Sequence, residues 1–319
     1  MIVVLTGGTG GAKFVEGLRQ IVPPRELTFV VNTADDLRWW GLHVSPDLDS
    51  ITYGLAGMLS RERGWGVKGD TFYCLQATGE LDEPIWFHVG DRDLAIHLLR
   101  SRLLAEGKTL SEATATIALK LGVESRILPM SDSRVETRVG TPAGDLSFQE
   151  YFVQRWYQDP VKAVRFEGAE SATPAPGVVE AIQSASAVIL APSNPITSIG
   201  PILAVRAIRE ALRSTPASVA AVSPIVGNAA FSGPAGILMA AQGLPVSIAG
   251  VAQAYEDFLD LLIVDLRDAE AATSLNRPGL RVHCANTNMR TVDDKMKLAR
   301  TVLALLAAGA SVRAAPELT

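Results

Sequence analysis

Apolar and polar positions alternate along the chain in a strand–helix rhythm. Met1–Thr6 is a short β-branched run that stops at glycines, the pattern of a strand buried on both faces. Gly7–Gly11 predicts a turn, and Ala12–Ile21 carries the helical spacing Phe14, Val15, Leu18, Ile21. Leu27–Asn32 predicts a second buried strand, so the chain opens with a βαβ unit and a parallel sheet is expected. Helices are expected over Asp49–Leu59, Asp91–Leu104 and Ser111–Leu121, the last with Ser111 as N-cap.

Between about 124 and 166 the period changes. Ile127-Leu128, Val135–Val139, Leu146–Phe152 and Ala163–Phe166 predict short strands, with a turn at Thr141–Gly144, as in a β-rich insertion or lid. The βα rhythm then returns. Helices are expected at Val178–Ser184, Ile202–Leu212, Ala235–Gln242, Val251–Phe258 and Thr291–Ala307, with strands at Ala187–Leu190, Ser218–Val222 and Leu261–Val264. The fold class is α/β, Rossmann-like, with a mostly parallel sheet in three layers, read as a single unit over 1–319.

Composition narrows the function. The chain has 319 residues, 48% hydrophobic and 20% charged, as a globular protein with a large core should. A net charge of −5 argues against nucleic-acid binding, which needs a basic face. Two cysteines, Cys74 and Cys284, are too few for a disulfide framework and suit a reduced, cytoplasmic compartment. The start of the chain lacks a signal-peptide pattern, and no apolar run approaches the ~20 residues that span a bilayer, so no membrane is expected.

Candidate chemistry gathers in the strand-end loops. Thr6-Gly-Gly-Thr-Gly-Gly-Ala-Lys13 lets backbone amides approach an anion at a helix start. Its spacing is neither the dinucleotide fingerprint nor a Walker A loop. Asn32-Thr-Ala-Asp-Asp36 follows the second strand, where two carboxylates could hold a ribose or a metal, or simply cap a helix. Asp47 and Asp49 in Ser45–Asp49 fit capping on spacing alone. Two acidic clusters behind a phosphate-type loop shift the balance towards a divalent cation. In Val89-Gly-Asp-Arg-Asp93, Arg92 has the shape to clamp a phosphate, while His88 and His97 are bases or structural histidines. Ala191–Pro201 and Ser223–Asn228 are polar turns suited to a nucleotide. Trp39, Trp40, Trp65 and Trp86 are stacking candidates or core.

In this order these segments resemble the 2-phospho-L-lactate transferase family of coenzyme F-420 biosynthesis, known as CofD and FbiA. The anchors are Leu5–Lys13, Val31–Asp36, Ser45–Asp49, Gly90–Asp93, Leu128–Asp132, Ala191–Pro201 and Ser223–Asn228. The resemblance implies transfer of a phospho-acid unit, phospholactate or phosphoenolpyruvate, from a GDP-activated donor to the ribityl hydroxyl of 7,8-didemethyl-8-hydroxy-5-deazariboflavin. GMP leaves, Mg²⁺ is required, and a homodimer is expected. It implies Asp49 and His88 at the deazaflavin, beside which we set Arg92. It puts Asp36 and Asp49 at the metal, with Asp49 or Asp91 as proton acceptor. To the donor nucleotide and its phosphates we assign Gly7, Gly8, Thr9, Gly10, Gly11 and Lys13. Ser193, Asn194, Ser198, Gly200 and Asn228 join them. Two other classes stay open: a nucleotide-sugar-binding regulator of the same superfamily, and an NAD-dependent oxidoreductase, which the glycine spacing disfavours.

Overall fold

The computed structural model describes residues 1–309; residues 310–319 of the expected unit lie outside the described residues. In chain order the strands are β1 (Ile2–Thr6), β2 (Leu27–Val31), a hairpin β3 (Leu37–Trp39) and β4 (Leu42–Val44), then β5 (Arg126–Pro129). Next come β6 (Glu136–Thr141), β7 (Gly144–Ser147), β8 (Ala163–Glu167), β9 (Ala187–Leu190) and β10 (Ser218–Val222). A small hairpin, β11 (Ile225–Val226) and β12 (Ala229–Ala230), precedes β13 (Leu261–Asp265) and β14 (Arg281–Ala285). Seven strands form one parallel sheet in the order β14-β13-β10-β9-β1-β2-β5. The α/β expectation holds.

Successive residues of each central strand feed opposite layers, because strand side chains alternate faces. Val3, Leu5, Val30, Val188 and Leu190 pack on one side with Ile182, Ile208, Leu212, Leu238 and Val251 from the following helices. Val4, Phe29, Val31 and Ile189 pack on the other. There they meet helix α1 (Gly8–Leu18), α2 (Pro46–Ala56), α5 (Leu110–Lys120) and the last helix, Val292–Gly309. Both faces are therefore dry, which explains the uninterrupted apolar strands. Helices α3 (Tyr73–Gly79) and α4 (Asp91–Ala105) lie beyond α2.

The insertion is a three-stranded antiparallel sheet, β7-β6-β8. It is tied to the end of β2, where the Thr137 amide donates to the Ala34 carbonyl at 2.8 Å and Gln149 Nε2 to the Asp35 carbonyl at 3.1 Å.

Local chemistry moved several boundaries. The expected strand Leu146–Phe152 stops at Ser147 and gives way to a π-helical turn, Glu150–Gln154. The Ser147 amide donates to the Glu150 carboxylate at 2.7 Å, a local cap that overrides the β-propensity of Tyr151, Phe152 and Val153. The N-cap of α5 is Thr109, in a capping box with Glu112, and not Ser111, whose hydroxyl and amide both donate to Asp132. Pro46 starts α2 earlier than expected, and left-handed Gly57 ends it. The single helix expected over Ile202–Leu212 is two, broken at extended Val205. The helix expected over Val251–Phe258 runs from Ile248 to Ala254. The edge strand β14 is interrupted by Arg281 and His283, and the strands of the hairpin β3–β4 are only three residues each, too short to have announced themselves.

Helix α1 crosses the last helix so closely that a Cβ at Gly17 would meet the Lys295 backbone. Backbone cannot swing aside as a long side chain can. Gly17→Ala should therefore destabilise the protein by about 1–3 kcal/mol, read from the midpoint of urea unfolding; an unchanged midpoint would refute the close packing.

Candidate active site

The site forms at the carboxyl edge of the sheet, where strand order reverses about β1: β2 lies on one side and β9 on the other. Such a switch point leaves a crevice between the loops that leave the two strands. Here it opens into a cavity of about 1160 Å³. That exceeds the ~300–1,000 Å³ typical for one drug-sized ligand, so two small molecules fit side by side.

Its floor is the start of α1. Gly7 is the N-cap and the helix begins at Gly8, so the glycines expected as a free turn make the first helical turn, and Gly7, Gly8, Thr9 and Gly10 line the cavity. A Cβ at Gly10 would run into the Pro192 carbonyl, which explains why a side chain is excluded there. Ser193 buttresses the loop, donating to the Gly7 carbonyl at 2.8 Å and accepting from the Gly7 amide at 3.4 Å. Asn194 folds its own turn by accepting from the Ile196 amide at 2.9 Å. Lys13 lines the cavity and has no ion-pair or hydrogen-bond partner among the described residues. A helix start, the polar side chains of Ser193 and Asn194 and an unpaired ammonium make an anion site.

Beside this floor sits a buried acidic pair. Asn32 Nδ2 faces Asp35 Oδ2 at 3.0 Å, Asp47 Oδ2 at 3.0 Å and the Thr197 carbonyl at 3.1 Å. Two amide protons cannot serve three acceptors fully. Asp47 also accepts from the Gly8 amide at 2.7 Å, while Asp35 Oδ1 is buried with no partner among the described residues. Burial pushes the Asp47 carboxyl up to about 6, against the Asn32 and Gly8 hydrogen bonds. Burial, with the neighbouring Asp47 charge, raises Asp35 well above the carboxylate range.

On the far side of α2 lies a second polar cluster. Arg100, fully buried, grips both oxygens of Asp49, with Nη1 donating to Oδ2 at 3.1 Å. His97 Nδ1 lies 3.6 Å from Asp49, and Tyr53 donates its hydroxyl to Asp93. Asp49, Tyr53, Asp93 and His97 line the cavity, next to Trp65, Trp86, Phe87 and His88. Opposite, the insertion contributes Phe148 and Phe152, stacked at 5.4 Å with planes 5° apart.

The sequence profile of the 2-phospho-L-lactate transferase CofD family matches residues 2–302. The chain belongs to this family. It is 42% identical over 304 residues to the 2-phospho-L-lactate transferase of Methanosarcina acetivorans, covering 95% of this chain and 98% of that one. It is 43% identical over 303 residues to that of Methanothermobacter thermautotrophicus, covering 95% and 97%. It is also 42% identical over 310 residues to the phosphoenolpyruvate transferase of Streptomyces griseus, covering 95% and 98%. A solved structure from Bacillus halodurans, a member of the UPF0052 family, shares the fold, with a TM-score of 0.63 at 16% identity over 95% of this chain and 98% of that one.

Within this CofD-family frame the expected site residues fall into two groups. Gly7, Gly8, Thr9, Gly10, Lys13, Asp49, His88, Ser193, Asn194 and Ser198 line the cavity. The others do not. Gly11 is buried against Thr6 and Ser193, and Gly200, half-buried, packs beside Phe166 at the start of a short helix. Asn228 is exposed in a loop. Asp36 turns to Ser45 at 2.7 Å and His43 at 2.9 Å. Asp91 caps α3, accepting from the Tyr73 and Cys74 amides at 3.0 and 2.9 Å and from the Thr71 hydroxyl, which lowers its carboxyl. Arg92 lies over the Lys68 carbonyl outside the cavity.

Three residues, Asp49, Asp93 and His97, can bring ligand atoms within 4.8 Å of one another. Arg100 already neutralises Asp49 and reaches His97 Nδ1 at 3.4 Å, so a dication there would confront a guanidinium. Asp35 and Asp47 fit better: hard oxygen donors, under-satisfied, beside the anion loop.

The acidic pair has a measurable signature. In the fold, both carboxyls keep protons at pH values where the unfolded chain has lost them. The pair therefore costs nothing at low pH and destabilises the free protein increasingly as pH rises from about 4 to 6. In chelator, Asp47→Asn should gain roughly 1–3 kcal/mol over wild type between pH 4 and pH 7. A difference that stays flat across that range in thermal melts would contradict this.

Proposed function

We propose that this transferase moves a phospho-acid unit from a GDP-linked donor to the terminal ribityl hydroxyl of 7,8-didemethyl-8-hydroxy-5-deazariboflavin, releasing GMP, in the making of coenzyme F-420. The observation that carries this reading is that the anion-binding start of α1 and the aromatic, carboxylate-lined wall around Asp49 open into one cavity. Both relatives' names, phospholactate and phosphoenolpyruvate transferase, belong to this scheme, and the transferred unit is of that class.

In this scheme the amides of Thr9 and Gly10, with Lys13, Ser193 and Ser198, hold the donor diphosphate. The ring of the acceptor lies against Trp65, Trp86 and His88, and its side chain runs past Asp49 towards the loop. The terminal hydroxyl oxygen bonds to the phosphorus that bears the acid. The bond from that phosphorus to GMP breaks. Phosphoryl transfer of this loose kind needs positioning and charge neutralisation more than a strong base. Asp49, held on both oxygens by Arg100, receives the hydroxyl proton. Lys13 and the loop amides meet the charge that develops on the leaving GMP. Asp35 and Asp47, in place of the pairing first expected for Asp36 and Asp49, would hold Mg²⁺, which when bound would supply further neutralisation of the diphosphate.

The test is direct. The deazaflavin is fluorescent, so its binding is followed in titrations, and products of reaction with a GDP-linked donor are weighed by mass spectrometry. Wild type should bind saturably and form product. Asp49→Ala should lose binding at least tenfold, and no binding by wild type under any condition would overturn the transferase reading. Lys13→Ala should raise the donor KM about tenfold and leave deazaflavin affinity unchanged. Mg²⁺ at pH 7.5 should raise the melting temperature of wild type but not of Asp47→Asn; equal rises would remove Asp47 from the metal.

A further inference from the structure

Helix α4 carries Asp93, His97 and Arg100 at spacings of four and three, so all three share one face. All are buried, and the face turns inward to Asp49 and Tyr53. Arg100 and Tyr53 have clear duties there. His97 does not: it is only 2% exposed, it lines the cavity, and its Nε2 has no hydrogen-bond partner among the described residues.

The tautomer follows from its neighbours. Arg100 Nη1 lies 3.4 Å from His97 Nδ1, and a guanidinium can only donate. Nδ1 is therefore the acceptor, and the proton sits on Nε2. Nε2 lies 3.5 Å from Asp93 Oδ1, too far for a good bond, and that oxygen accepts from the Tyr53 hydroxyl with a lone pair to spare. A buried donor left without a partner is costly, so the position favours a ligand that fills it.

The donor and the carboxylate oxygen lie close enough for one atom to touch both. A ligand carbonyl would satisfy His97 but turn its lone pairs on Asp93. A ligand N–H would satisfy Asp93 but meet the His97 proton head on. A hydroxyl does both, accepting from Nε2–H and donating to Oδ1. We propose that His97 and Asp93 together form a binding position for a hydroxyl on the polyol chain of the acceptor, with His97 Nε2–H as the donor. This rests on the transferase reading above. It gives the chain a second fixed point beyond Asp49, so that the terminal hydroxyl arrives with its orientation already set.

Isosteric substitutions separate the two ring nitrogens. His97→Gln places an amide N–H near Nε2. His97→Asn places its amide near Nδ1 and leaves the Nε2 position vacant. Deazaflavin affinity is measured by fluorescence for both, with GDP affinity and melting temperature alongside. His97→Asn should weaken deazaflavin binding five- to twentyfold, His97→Gln by no more than about threefold, and neither should change GDP affinity. A ring analogue bearing methyl in place of the ribityl chain should bind wild type and His97→Asn equally.

Equal deazaflavin affinity for wild type and His97→Asn would mean that the pair holds only solvent, and would overturn the proposal. Equal weakening in both variants would make His97 a packing residue, and an analogue that keeps the defect would make it a reader of the ring; either outcome also overturns it. Wild type that binds GDP but no deazaflavin would sink the transferase reading itself. Should His97→Asn fail to fold, histidine-selective ¹⁵N spectra of wild type serve instead. With four histidines in the chain, the Nε2 signal of His97 should shift on adding deazaflavin and stay still on adding GDP; an unmoved signal with deazaflavin refutes the contact.

Discussion

One side-chain amide holds the site together. Asn32 ends β2 fully buried, accepts from the Ala34 amide at 2.9 Å, and points its nitrogen at Asp35, Asp47 and the Thr197 carbonyl. Those three belong to the loop after β2, the first turn of α2 and the loop after β9. Asp47 in turn holds the Gly8 amide, which fixes the start of α1. Three strand-end segments are thus set by a single donor group with fewer protons than acceptors. The strain of that arithmetic falls on two carboxylates with no positive partner. Everything on the anion side of the cavity is placed around this deficit.

The fold was largely legible because parallel strands buried on both faces must be apolar throughout. β1, β2, β9, β10 and β13 announced themselves as short β-branched runs. What escaped was governed by single side-chain bonds. Ser147 with Glu150 turns a β-prone stretch into a helical turn, and Thr109 with Glu112 claims the cap that Ser111 had equal chemistry to supply. β14 has polar Arg281 and His283 on an edge strand, where one side of the ladder has no neighbour to enforce a pattern.

The site was legible as loops and much less as atoms. The glycine segment and the Ser193–Ser198 turn line the cavity because both leave the strands at the reversal of order. Adjacent carboxylates defeated the pattern: Asp35 faces the cavity and Asp36 does not, since consecutive residues in a turn diverge and His43 and Ser45 were free to take the second. Asp91 and Arg92 stand at the start of α4, but Asp91 reaches across to cap the start of α3 instead of entering the cavity. Arg100 was not singled out at all. Its signal was present in the spacing from Asp93 and His97, a charged stripe on a helix face that packing required to be inside.

The insertion is fastened at Ala34 and Asp35, the peptide groups next to the carboxylate that most lacks a partner. The two bonds that seat the insertion and the carboxylate that lacks a partner are consecutive along the chain, so any change in the turn after β2 reaches both the aromatic wall at Phe148 and Phe152 and the acidic floor of the cavity.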